Sequence, residues 1–480
     1  MKMRALSSLA SVRRTARLFP ALLILCSSAF AAETTARPNI VFLLADDLGY
    51  GDLGCQGHPR TKTPNLDRLA QDGTRFMRFY VHPLCSPTRA AAITGQFPSR
   101  WRVFAHFADL VSNAERGMPD WLDAQAPSMP RALQQAGYRT AHFGKWHLGG
   151  GSGSFRDGKL FINHPDAPPV ASYGFDAVRA TYGNAPTWKH AEPVDKPHEI
   201  YPYTDPEWLT WSSRAISDTT IDFLEDHTRN HAGQPFLAHV WFKDPHTPMT
   251  PTAAMRAPYA DVAEPSQTHY AMVSFMDEQI GRILNKLDEL GLRENTLVLF
   301  ASDNGAADKR GGTNGTLRGW KWTIYEGGIR VPFIARWPGQ VPGGRVDQTS
   351  LLNVSDLTPT FCRLAGAAMP GGYQSDGEDA SDALRGKPFR RTVPMMWHHP
   401  HGGTRNPVLA IRDGDWKLMM NPDGTKLALH NLTNDLSEKS DVAAENPDVV
   451  ERLKTRLVAW HRSLPQQANS PPGRKRGVEK

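Results

Sequence analysis

Asn39-Ile40-Val41-Phe42-Leu43-Leu44-Ala45, followed at once by Asp46-Asp47, is the stretch on which the fold turns. A near-continuous apolar run of this kind reads as a strand buried on both faces, as in α/β sheets, rather than a strand with one wet face. Phe236 to Phe242 and Thr296 to Ala301 repeat the pattern. Helical segments lie between them, and Thr268 to Leu290 is the clearest. There Met272, Met276, Ile280, Ile283, Leu287 and Leu290 mark one face, and Gly291 stands at the stop. Strands alternating with helices predict an α/β fold with a large mixed, mostly parallel sheet flanked by helices.

The 480 residues exceed the usual single-core size, so a large domain with a smaller companion is expected. From about Val393 the pattern changes. Leu409 to Met420, Asn421-Pro-Asp-Gly424 and Lys426 to Leu432 read as an antiparallel hairpin, and an amphipathic helix follows from Pro447 to about Arg462. The expected organisation is a catalytic α/β domain over residues 36–390 and a small C-terminal α+β domain, built on an antiparallel sheet, over 391–464. A disordered basic tail is expected over 465–480. Residues 151–208 are rich in Gly, Pro, His and aromatics without a sustained period, which fits a functional rim or a variable surface insertion.

The first 31 residues read as an export signal. Lys2, Arg4, Arg13, Arg14 and Arg17 form a positive segment, Leu18 to Ser28 an apolar core, and Ala29-Phe30-Ala31 a small-x-small cleavage site. The mature protein is then expected to be soluble, periplasmic or secreted, with no membrane insertion. The signal carries five of the positive charges, so the formal net charge of +6 falls to about +1 without it. Four more Lys/Arg and one Glu sit between Arg474 and Lys480, so the high pI belongs to the ends of the chain and gives no case for nucleic-acid binding. Of the four cysteines, Cys26 lies in the signal, leaving Cys55, Cys85 and Cys362. An odd number in a disulfide-permissive compartment points to a thiol with chemistry of its own, and leaves a Cys55–Cys362 bridge open.

That chemistry is signalled by Cys85-Ser86-Pro87-Thr88-Arg89, followed by Ala90 to Gly95. Asp46-Asp47 ends one apolar strand, and Asp303-Asn304-Gly305 follows another. Ligands of open α/β sheets gather at the carboxyl ends of strands. Three carboxylates and an amide there suit a hard divalent cation such as calcium or magnesium, whereas a lone Asp-Asp would more simply be a helix cap or turn.

With these segments in view, the chain resembles the formylglycine-dependent sulfatases of the alkaline phosphatase superfamily, in particular N-acetylgalactosamine-6-sulfatase and arylsulfatase-like bacterial members. Besides the Cys85 signature, the resemblance rests on Pro38-Asn39-Ile40, Ala45 to Tyr50, Thr63 to Asp67, Gly144 to Gly149, Lys243 to Pro248, Ser302 to Gly305, Leu317 to Lys321 and Glu326 to Pro332. It implies that a formylglycine-generating maturation enzyme oxidises Cys85, reading Pro87 and Arg89. The aldehyde hydrates to a diol, one hydroxyl attacks sulfur, and the other loses its proton as sulfate is expelled, a route that serine lacks. It further implies one calcium ion on Asp46, Asp47, Asp303, Asn304 and the residue at Cys85. Arg89 steadies the diol, Lys145 and Lys321 contact sulfate, His246 helps protonate the leaving oxygen and His147 takes the proton for elimination.

The resemblance points to a sulfated carbohydrate substrate but names no sugar. Trp101, Arg102, His106, Trp188, His190, Trp320 and Trp322 are rim candidates, because aromatics stack on sugars, although core packing explains a tryptophan as readily. His398, His399 and His401 read as an exposed loop in preference to a metal tract or rim. Two rivals stand beside the sulfatase reading. One is a phosphodiester or phosphonate hydrolase on the same fold, against which Lys145 and Lys321 stand where a second metal would be needed. The other is a non-catalytic sulfated-glycan-binding protein, which loss of Cys85, an Asp ligand or a Lys would support.

Overall fold

The computed structural model describes residues 37–149, 166–183, 186–188 and 205–466, with the backbone of 155–156 and 159–160. The expected signal, the basic tail beyond Gln466 and His190 lie outside the described residues.

Asn39–Ala45 forms strand β1, buried at every position. Ile40, Phe42 and Leu44 join one apolar core and Val41, Leu43 and Ala45 another, so the strand is covered on both faces. It lies inside an eight-stranded sheet. In chain order the others are β2 (Thr74–Phe76), β3 (Arg139–Lys145), β4 (Ala177–Thr181), β5 (Phe236–Trp241), β6 (Thr296–Ser302), β7 (Phe333–Arg336) and β8 (Arg345–Asp347). The spatial order is β8-β2-β7-β6-β1-β5-β3-β4. Only β7 runs against its neighbours, so the sheet is mixed and mostly parallel, as expected.

Helices cover both faces. On one side pack α1 (Pro64–Asp72), α4 (Glu207–Asn230) and α5 (Ser266–Glu289); on the other, α2 (Cys85–Thr94), α3 (Met129–Gln135) and α6 (Leu357–Ala365). α5 matches the expected Thr268–Leu290 segment within two residues at its start and one at its end. The irregular stretch from 151 contributes a strand to the main sheet that the sequence reading passed over. Ala177–Thr181 is the sheet's edge strand, paired in parallel with β3. Its Ala-Val-Arg-Ala-Thr pattern, buried at alternate positions, is too short to stand out among glycines and prolines.

A separate antiparallel sheet holds β9 (Met395–His398), β10 (Leu409–Asp413), β11 (Trp416–Met420) and β12 (Ala428–Asn431). Leu409 to Met420 is thus two strands rather than one arm of a hairpin. The chain reverses at Asp413-Gly414-Asp415, where Gly414 adopts φ 61°. Helix α7 (Pro447–Ser463) closes this sheet, burying Leu453, Leu457 and Trp460 with Leu409, Ile411 and Leu418. Among the described residues no helix is long and apolar enough to cross a membrane. Cys55 and Cys362 are both free thiols, so the bridge left open by the sequence is not formed.

Candidate active site

Strand register assembles the site. β1 and β6 are parallel neighbours with Ala45 opposite Ser302, so the residues next along, Asp46 and Asp303, leave the sheet at the same level. Asp47 turns aside with φ 65°, and its N–H donates to Asp303 Oδ1 at 3.2 Å. Lys145 ends β3 beside them. Gly144 makes that possible: its φ is 101°, and a Cβ there would lie 2.0 Å from the Trp241 carbonyl oxygen. His246 arrives on the turn after β5.

Cys85 is the first residue of α2, a helix buried along its whole length, so the positive helix end faces the group at position 85. The rest of the signature holds the helix in place. Ser86 Oγ donates to His147 O at 2.6 Å and accepts from Phe107 N–H, while Thr88 Oγ1 accepts from His82 N–H. Burial pushes the Cys85 thiol up to about 11, against the pull of Lys145 and Lys321, so an unmodified cysteine stays protonated and is a poor nucleophile.

Ligand atoms of Asp46, Cys85 and Asp303 all lie within 4.8 Å of one another, and so do those of Asp46, Asp47 and His246. Three fixed cations answer the three carboxylates. Arg89 Nη2 stands 2.8 Å from Asp303 Oδ2 and 3.3 Å from Asp46 Oδ2, Lys145 Nζ contacts Asp46 Oδ2, and Lys321 Nζ stands 2.7 Å from Asp47 Oδ1. Burial opposes ionisation of Asp46, yet Lys145, His246, Arg89 and Lys321 together hold its carboxyl well below the usual range. At Asp303 burial and the Asp46 charge prevail over Arg89 and Lys145.

The donor set fits a hard cation. Asp46 Oδ1 and Asn304 Oδ1 are buried oxygens without a hydrogen-bond partner, an arrangement that costs free energy unless a further positive group satisfies them. Asp47, Asp303 and Asn304 stand with them, and Asn304 Nδ2 donates to Asp47 Oδ1 at 2.7 Å, which turns the amide oxygen away from Asp47.

Both histidines have defined tautomers, because carbonyl oxygens only accept. His147 Nε2–H donates to Phe107 O at 3.1 Å, leaving Nδ1 as a buried, unpartnered base. Burial, then Lys145, keeps this ring neutral. His246 Nδ1–H donates to Thr247 O at 2.6 Å, so a second proton would enter at Nε2, which lies 3.6 Å from Asp47 Oδ2. Burial pushes His246 down to about 3.

The rim candidates divide. His106 lies 6.0 Å from the His147 ring and 5.2 Å from Trp322, ring centre to ring centre, and Trp320 and Trp322 flank Lys321 half-buried. Arg102 is spent on the carbonyls of Gly117 and Pro465, and Trp101 donates to Gln96 Oε1. Trp188 is no rim residue: it is buried, and its Nε1–H donates to Ala215 O and Thr219 Oγ1 of α4. Nor is the histidine tract an exposed loop. His398 ends β9, while His399 is buried, donates from Nδ1 to Phe104 O at 3.0 Å and packs 5.8 Å from Trp322. One supporting residue carried no assigned role in the sequence reading. Lys243, in the same motif as His246, is buried and donates to His246 O and Pro248 O, fixing the turn that carries the imidazole.

Two family descriptions match the chain: sulfatase over residues 38–367, and N-sulphoglucosamine sulphohydrolase, C-terminal, over residues 318–463. A sulfatase of Formosa agariphila is 30% identical, with 91% of each chain covered. The N-acetylgalactosamine-6-sulfatase of Canis lupus familiaris is 36% identical over 74% of this chain and 67% of its own. Among solved structures, Ps i-CgsB in complex with k-i-k-neocarrahexaose superposes with a TM-score of 0.73 at 27% identity, covering 88% of this chain and 92% of the other.

Proposed function

Because the chain belongs to the sulfatase family and is a sulfuric ester hydrolase, we propose that it removes sulfate from a sulfated saccharide, using formylglycine made from Cys85 and one calcium ion. The observation that carries this reading is the convergence of Cys85, Asp46 and Asp303 with Arg89, Lys145 and Lys321. The saccharide is supported by the neocarrahexaose in the Ps i-CgsB structure and by the name of the N-acetylgalactosamine-6-sulfatase relative.

Asp46, Asp47, Asp303 and Asn304 would hold the ion, which supplies positive charge for ionising a hydroxyl at position 85 and for gathering an anionic ester. Oxidation of Cys85 by a maturation enzyme gives an aldehyde, and addition of water to it supplies that hydroxyl in place of a protonated thiol. Arg89 orients Asp303 and adds positive charge beside it. Lys145 and Lys321 bind sulfate oxygens and stabilise charge that shifts during transfer. His246 helps protonate the departing sugar oxygen through Nε2, which must first take up a second proton beside Asp47. His147 Nδ1 accepts the proton released at position 85, and its Nε2–H bond to Phe107 O keeps the basic nitrogen turned inward. The signal-like residues 1–31 support an exported enzyme.

The test is sulfate release from 6- and 4-sulfated galactosaminides, a 6-sulfated glucosaminide, carrageenan fragments and fucoidan fragments. The protein is co-expressed with a formylglycine-generating enzyme, beside Cys85→Ala. Release from one member, absent in the control, supports the reading. No release with formylglycine verified at position 85 would sink it for these sugars.

A further inference from the structure

Glu438 is buried and sits at φ 53°, in the left-handed region that a glutamate seldom occupies. It belongs to the turn after β12, remote in sequence from every residue of the active site. Strain of this kind persists where the surroundings hold it in place.

What holds Glu438 is the loop from Leu317 to Gly328, which carries Lys321. Glu438 Oε2 accepts from the Glu326 N–H at 2.7 Å, and its carbonyl accepts from Arg318 Nη1 at 2.7 Å. The two grips fall at the two ends of the loop, which closes on itself where Gly327 N–H donates to Arg318 O at 2.7 Å. Lys417 of β11 completes the clasp, with Nζ 3.0 Å from Glu326 Oε1 and 2.8 Å from Glu438 Oε1. Tyr80 donates to Glu326 Oε2 at 2.6 Å, and the guanidiniums of Arg330 and Arg412 each stand 3.6 Å from it.

The middle of the loop is tied to the chemistry. Lys321 N–H donates to Ala306 O, two residues beyond Asn304, and Trp322 N–H donates to Pro83 O, two residues before Cys85. Gly305 N–H donates to Gly328 O. Buried ion clusters are poor sources of stability, since well-packed apolar residues often serve as well or better. Geometric specification is the better account of this one.

We propose that Lys417 and Glu438 are positioning residues for Lys321: through Glu326 and Arg318, the C-terminal sheet sets where the Lys321 ammonium stands against Asp47 and the bound sulfate group. The inference rests on the sulfatase reading above, in which Lys321 contacts sulfate. Neither residue touches substrate; both act through the loop.

A double-mutant cycle tests it. Glu438→Gln and Lys417→Met are each made alone and together with Lys321→Ala, and kcat for sulfate release is read below the thermal transition of every variant. Each should lower kcat about tenfold when Lys321 is present and less than about twofold when it is absent. Equal losses in both backgrounds would overturn the proposal. Hydrogen exchange supplies a readout that needs no turnover. Peptides from 318–328 should exchange faster in Glu438→Gln than in the unaltered chain, while those from β1 do not change, and unchanged exchange in 318–328 would overturn the proposal. If the unaltered, formylglycine-bearing chain releases no sulfate, the sulfatase reading fails and exchange alone decides the clasp. If neither variant folds, the unaltered chain decides. Its 318–328 and β11 amides should lose protection together across a denaturant series, and separate openings would refute the clasp.

Discussion

Lys321 and Asp47, 274 positions apart in the chain, meet with Nζ 2.7 Å from Oδ1 and 2.9 Å from Oδ2. The pair puts a fixed cation beside a buried carboxylate cluster; under the proposed function it would serve both the acid that holds the ion and the sulfate that approaches it. Replacing Lys321 by Ala removes charge stabilisation aimed at the transferring group, so kcat for sulfate release should fall by about 10²-fold or more. Steady-state kinetics on the best saccharide of the panel checks this; a change confined to KM would contradict the assignment.

Cys85→Ser should fold like the parent, since position 85 lies at a helix start and serine differs by one atom. A sulfate ester on serine has no internal route to elimination. The variant should therefore release at most one equivalent of sugar alcohol and then stop. Sustained turnover, read by product count against active protein, would rule out the formylglycine route.

Asp46 Oδ1 and Asn304 Oδ1 lack partners in the folded chain, so calcium should stabilise it. At 100 times its dissociation constant an ion adds about 2.7 kcal/mol, which a thermal shift detects. Chelation should lower Tm and abolish sulfate release, and Asp46→Asn should erase the shift. A Tm indifferent to calcium and magnesium would remove the metal from the account.

His82 and His239 are fully buried, and burial pushes each down to about 3. Between their unfolded value near 6.5 and about 3, the unfolded chain binds protons that the native one refuses. Stability therefore falls as pH drops through this window, by up to about 1.4 kcal/mol per pH unit for each ring. Neither His239 nitrogen has a hydrogen-bond partner. His239→Phe should flatten the fall of Tm between pH 7 and 5, and an unchanged slope would show that this ring is not the cause.

Trp188 and Trp322 should behave oppositely. Trp188→Ala empties a core site and should cost about 3–5 kcal/mol without altering KM. Trp322→Ala, beside His106, should raise KM several-fold with a smaller loss of Tm. A raised KM in Trp188→Ala, at a temperature where it is folded, would return Trp188 to the rim.

Much of the fold was legible because burial on both faces leaves a local mark. Asn39 to Ala45, Phe236 to Phe242 and Thr296 to Ala301 carry no polar alternation, and only a strand inside a covered sheet tolerates that. The edge strand Ala177–Thr181 was not legible: five small and mixed residues between glycines give no period, and pairing with β3 creates the strand. The same limit explains the histidine tract. His398-His399-Pro400-His401 looks polar and loop-like, yet Phe104 O and Trp322 draw His399 inward from segments the local sequence does not contain.

By itself the sequence determined the three buried strands, the acids that stand at the ends of two of them and the helix near Thr268 to Leu290, because each depends on chemistry within a few positions of itself. The tertiary structure alone decided which groups meet. Parallel register sets Asp46 beside Asp303, carbonyl partners choose the tautomers of His147 and His246, and the C-terminal sheet closes Lys417 and Glu438 on the loop of Lys321. Nothing in the sequence next to Lys417 or Glu438 marks either charge for burial. Their burial follows from packing one sheet against a distant loop, and no local pattern records the partner that makes a buried charge tolerable.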